Sequence, residues 1–136
     1  MSYRTNRGMG RVLPMLLLAV FGIVTSLPVY AAAQKYPNVL AAKVQVQGTN
    51  SFNFAVTISS PYDTPQRYAD GYRIINRDGT VYGMRKLRHD HAGEQPFTRG
   101  LRGVKIPSGV RNVVIQARDQ KYGYGGKTLE VTLPGR

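Results

Sequence analysis

The stretch SFNFAVTISS, residues 51–60, sets Phe52, Phe54, Val56 and Ile58 on one side of the chain and Asn53, Ala55, Thr57 and Ser59 on the other. Successive side chains of a strand point to opposite faces, whereas a helix brings together residues three and four apart. This pattern therefore buries its four large side chains only as a strand with one covered face. AAKVQVQ (41–47) repeats the period, with Ala42, Val44 and Val46 opposite Lys43, Gln45 and Gln47, and Gly48-Thr49-Asn50 supplies the turn between the two. No segment after residue 33 carries a helical period.

Further strands are expected in YRIIN (72–76) and VYGMRKLR (81–88), joined through Arg77-Asp78-Gly79-Thr80. Asp-Gly between two β-prone runs signals a hairpin whose two central positions both take positive φ. LRGVKI (101–106) follows, then VRNVVIQARD (110–119) with Val113, Ile115 and Ala117 facing inward, and KTLEVTLP (127–134) with Leu129, Val131 and Leu133 on one face. PYDTPQRYADG (61–71) has two prolines and is read as an irregular connection. YGYGG (122–126) is read as a glycine-rich connection in which Gly123, Gly125 and Gly126 supply positive φ. Seven short strands in about 100 residues predict a two-layer antiparallel sandwich, with a small barrel as the competing closure.

The first 33 residues stand apart. Arg4, Arg7 and Arg11 precede an apolar run from Val12 to Val29, and Ala31-Ala32-Ala33 ends it. This is the pattern of a secretory signal peptide, residues 1–33, removed to leave a single domain at 34–136. An uncleaved anchor is the alternative, since the run nears the ~20 residues that span a bilayer. The leader carries three of the 19 basic residues and none of the seven acidic ones, so the remaining domain has a charge of +9. Such a charge favours anionic partners. With no cysteine the chain has neither a lipobox nor a disulfide, and packing alone must hold the fold.

The segments YADGYRI, DGTVYG, HDHAGEQPFTRGLRGVKIPSGV and ARDQKYGYGG resemble, in this order, a group of small exported bacterial proteins, over roughly residues 60–134. From Gly103 onward the chain is similar to the last strands of immunoglobulin-like or fibronectin-III-like domains, where an Ala-x-Asp such as Ala117-Arg118-Asp119 precedes a glycine-containing hairpin. The resemblance implies an all-β, seven-stranded, antiparallel immunoglobulin-like sandwich and a periplasmic or secreted location. It brings no catalytic residue.

The chain's two histidines, His89 and His91, flank Asp90, with Glu94 three residues beyond His91. In an extended backbone both imidazoles project to one side and, with Glu94, offer a partial ligand set for Cu(II), Ni(II) or Zn(II). Without thiolates this is an open set, and the simpler expectation is a polar loop in which Glu94 accepts from backbone amides or pairs with Arg88 or Arg99 while Phe97 inserts into the core. No serine lies in a nucleophile turn and no carboxylate pair is marked for glycoside cleavage, so no enzyme and no cofactor are expected. No nucleic-acid motif is present. The expected function is a non-enzymatic exported binding module for an anionic envelope component or acidic protein, touching the membrane only through the leader. Its expected ligand surface joins Arg85, Arg88, Arg99 and Arg102 to Tyr122 and Tyr124, and a periplasmic metal-binding protein is the alternative.

Overall fold

The computed structural model describes residues 33–136 and, ahead of them, residues 8, 10, 22, 23 and 25–28. The expected leader lies almost entirely outside the described residues, among which no helix is long and apolar enough to cross a membrane. Residues 33–136 fold as one unit that is all-β and antiparallel. Its strands are β1 (Asn38–Gly48), β2 (Ser51–Ser59), β3 (Ala69–Ile75), β4 (Val81–Lys86), β5 (Phe97–Lys105), β6 (Asn112–Asp119), β7 (Gly123–Tyr124) and β8 (Leu129–Thr132). Seven correspond to the expected segments. The eighth, β7, is a two-residue strand inside YGYGG, where a plain connection was expected.

Two sheets form, in the orders β1-β2-β5 and β4-β3-β6, with β7 and β8 each pairing part of β6. The layers are separate, so the barrel is excluded. The chain crosses between sheets at 60–68, 87–96 and 106–111. Val39, Phe52, Phe54, Val56, Ile58, Phe97 and Val104 from one sheet meet Tyr72, Ile74, Val113, Ile115 and Ala117 from the other in a single core. Burying each large aliphatic or aromatic side chain contributes about 1.5–3 kcal/mol, and β2 supplies four of them. The alternation in residues 52–58 therefore identifies the central strand of its sheet. Tyr72 is fully buried because its hydroxyl crosses the core and donates to the Arg99 carbonyl at 2.9 Å.

The hairpin between β3 and β4 stands, with a different turn. Gly79 has a positive φ of 92°, whereas Asp78 does not. The Asn76 amide donates to the Thr80 carbonyl at 2.8 Å and the Asp78 carboxylate accepts from the Thr80 amide at 2.9 Å. Local side-chain bonding thus replaces the expected second left-handed residue. In YGYGG, Gly123 and Gly126 do have positive φ, but Gly125 does not. Gly125 is required by proximity instead, because a Cβ there would fall 2.5 Å from the Tyr36 ring.

Candidate functional site

The loop 87–96 is shaped by buried Asp63 from the neighbouring connection and by its own half-buried Gln95. Asp63, in the β2–β3 connection, accepts from the Ala69 amide through Oδ1 and from the His91 amide through Oδ2, both at 3.0 Å. Gln95 Oε1 accepts from the Ser60 amide at 2.6 Å, while its Nε2 donates to Ser60 Oγ at 3.2 Å and to the His91 carbonyl at 3.1 Å. The Ser60, Ala69 and His91 amides and the His91 carbonyl are thereby paired, as burial favours. The result turns the His91 ring inward, stacked on Phe97 at 4.1 Å and 12°, with the His89 ring at 4.8 Å.

Beside this loop the free edges of β4 and β5 face each other. At Gly83 they nearly touch, for a Cβ there would lie 3.1–3.3 Å from the Leu101 and Val104 side chains. Toward the loop they part. Arg85 stands opposite buried Tyr72 and so shares its inner face. Phe97, Arg99 and Leu101 pair with Ile58, Val56 and Phe54 and also point inward. Between them lies a cleft of about 490 Å³, with Met84, Leu87 and Leu101 as apolar wall and Arg85, Lys86, Arg88, Arg99, His89 and His91 around it.

The cleft's charge is only partly offset. Glu94 Oε2 pairs with Arg99 at 2.9 Å, as the sequence allowed, but Arg85, Lys86 and Arg88 meet no carboxylate among the described residues. His91 is 3% exposed, and neither ring nitrogen has a hydrogen-bond partner among the described residues. Burial, then the Arg99 and His89 charges, hold the imidazole below its ordinary range. His91 is thus neutral at pH 7, keeping one N–H to donate.

The other expected ligand residues lie elsewhere. Arg102 points outward and borders a separate depression with Lys43, Gln45 and Asn53. Tyr124 lies under the Arg73 guanidinium at 3.7 Å, on the outer face of the second sheet, and borders a depression there that Arg85 and Lys86 share. Tyr122 sits against Tyr36, with Lys35 4.5 Å and Arg67 4.7 Å from its ring. Loop 87–96 and YGYGG do share an end of the molecule, because β4 and β6 both finish beside the start of β3. Tyr122 lies away from the β4–β5 cleft, whereas the depression beside Tyr124 adjoins it through Met84, Arg85 and Lys86. Glu94 turns to Arg99, and no three His, Asp or Glu side chains converge as a metal set among the described residues.

Arg67, which carries no sequence signal, organises the second cluster at this end. Its Nε lies 3.1 Å from Asp119 Oδ2, and its guanidinium covers the Tyr62 ring at 4.2 Å. Asp119 is fully buried and also accepts from the Lys121 and Tyr122 amides at 2.9 and 2.8 Å. Burial alone would raise its carboxyl, yet the neighbouring Tyr62 hydroxyl and the hydrogen bonds from the Tyr122 amide, Arg67 and the Lys121 amide hold it below the usual range. The Tyr62 hydroxyl is pushed upward by burial and by Asp119.

No protein-family model matches the chain, and no solved structure matches it. A protein of Halomicrobium mukohataei described as "Putative lipoprotein" is 34% identical over 94 residues. The match covers 69% of this chain and 46% of the relative, so the chain spans about half the length of the curated relative it matches.

Proposed function

We propose that this protein is an exported binding module of immunoglobulin-like architecture, without catalytic turnover, that holds an anionic envelope component or acidic protein in the cleft between β4 and β5. The observation that carries this reading is the gathering of Arg85, Lys86, Arg88 and Arg99 around one cleft, where Glu94, paired with Arg99, is the only carboxylate that any of the four meets among the described residues. Guanidinium groups give bidentate contacts to carboxylate or phosphate, and a set left without counter-charge favours an anion from outside. The architecture is supported by the strand orders and by three crossings between the sheets. Export is supported by the basic start, apolar run and Ala31-Ala32-Ala33, and by the lipoprotein description of the relative. This chain has no cysteine to carry a lipid itself.

The test is capture from envelope extract by the immobilised protein. Partners taken up at low salt should be released toward ~0.5 M salt, where exposed charges are screened over well under 10 Å. They should be lost from a variant with Arg85→Gln, Arg88→Gln and Arg99→Gln and kept by Arg102→Gln. An unchanged set of partners in the triple variant would overturn the reading.

A further inference from the structure

We infer that two copies of this protein pair through β1, antiparallel about Val44, so that their three-stranded sheets join in the order β5-β2-β1-β1-β2-β5. The first support is an edge left open. β1 is the outer strand of its sheet, and its one backbone hydrogen bond beyond β2 among the described residues runs from the Val39 amide to the Lys127 carbonyl at 2.8 Å. From Leu40 to Gly48 the N–H and C=O groups along this edge meet no backbone partner among the described residues. Such a row is a template for a further strand. Edges are ordinarily guarded by shortness, proline or charge. β8 has four residues, and β4 and β5 carry Arg85, Lys86, Arg99, Arg102 and Lys105. β1 runs for eleven residues with no proline and a single charge, Lys43, and it leaves Leu40 and Val46 45% and 56% exposed.

The second support is that β1 complements itself. An antiparallel pair sets residues of one sheet face opposite each other. About Val44, the Val44 side chains of the two copies meet, Ala42 meets Val46, and Lys43 meets Gln45. The apolar face thus continues as apolar and the polar face as polar. The stretch Ala42–Val46 is also regular against β2, whose register shifts fall outside it at Val39/Ala41 and Val46/Gly48. Pairing about Lys43 would set two ammonium groups opposite each other, and pairing about Ala42 would draw the Val39/Ala41 irregularity into the ladder. The twofold arrangement uses the same edge in both copies, which closes the assembly at two. β5 forms the other edge of the sheet, so the β4–β5 cleft stays open in each copy.

Sedimentation of the exported protein tests the assignment. One strand pair makes a small interface, and a reversible monomer–dimer equilibrium is expected between about 10 µM and about 1 mM. It should tighten as salt rises, because two strongly basic domains repel each other, whereas anion capture by the cleft should weaken. A protein that stays monomeric up to about 1 mM in ~0.5 M salt would overturn the inference. Gln45→Lys, on the exposed outer face, sets a like charge opposite Lys43 at two places and should weaken dimerisation about three- to tenfold. Gln47→Lys adds the same charge opposite Ala41 and should weaken it less. Adding Lys43→Glu to Gln45→Lys makes both pairs opposite in charge and should restore association. Equal effects of Gln45→Lys and Gln47→Lys, or no rescue, would overturn this pairing. Val44→Cys gives a check that does not depend on charge, since the chain has no cysteine of its own. The facing Cα atoms would lie about 4.5–5.5 Å apart, within disulfide reach. Oxidation should link Val44→Cys into a dimer and leave Gln47→Cys, whose two copies would stand about 20 Å apart, unlinked. The reverse result would overturn the inference.

Discussion

Two guanidinium clusters sit at the same end of this sandwich and differ in what surrounds them. Around Arg67 the charge is met by a fully buried Asp119, and the planar group lies over Tyr62 and Tyr122. Around Arg85 and Arg88 the charge faces an open cleft and meets no carboxylate among the described residues. Residue type does not separate the two. Pairing does, because a buried carboxylate and its guanidinium fix each other, whereas an unmatched cationic cleft adds nothing to folding and stays available to a ligand.

The largest test of this contrast is Asp119→Ala. It removes the acceptor of Arg67 and of two backbone amides, and breaking such a buried pair costs about 3–5 kcal/mol. Glu94→Ala should cost no more than ~1 kcal/mol, because Glu94 is 59% exposed and surface pairs contribute little. Urea denaturation measures both, and equal losses would erase the distinction. Asp63→Asn comes next. An amide has one acceptor oxygen for the two backbone N–H groups that the carboxylate serves, so one of them is left unpaired and stability should fall by about 1–3 kcal/mol.

Acid should dismantle the two clusters in order. His91 is held below the ordinary histidine value of 6.5, so its contribution is complete above that pH and is lost as the unfolded chain takes up a proton below it. Asp119 is held below the ordinary 3.8, so its contribution is complete above that pH and disappears only as pH falls through the still lower folded value. Tm measured across pH should show both stages in the native protein and only the lower one in His91→Phe. The smallest effect on stability belongs to Arg85→Gln with Arg88→Gln, within about 0.5 kcal/mol in either direction, although partner capture should weaken sharply. A strongly destabilised double variant would place these arginines in the scaffold.

Part of the cleft was open to reading from the chain alone. Arg99 lies two residues from Phe97 and Arg102 five, so strand alternation already puts Arg99 with the core face and Arg102 on the other. Nearness in sequence does not give two strand residues a common face. The pairing of Glu94 with Arg99 and the burial of Phe97 were also legible, since they lie within a few residues of each other. Asp63 to His91 and Arg67 to Asp119 were not. Those partners are 28 and 52 residues apart, and nothing local marks which loop will meet which.

The sequence by itself determined that the chain folds into strands, which face of β1, β2, β6 and β8 turns toward the core, although Val46 at the end of that face of β1 is exposed, and where the β3–β4 hairpin turns. Those properties follow from side-chain period and from the φ preference of residues such as Gly79, both local. Only the tertiary structure decided that β4 and β5 become facing edges, that Arg85 and Arg99 line one cleft while Tyr122 and Tyr124 lie outside it, and that His91 is buried there with its ring nitrogens unpaired among the described residues. These depend on the order in which strands join two sheets and on the register of each pair, which are set by packing the whole core at once.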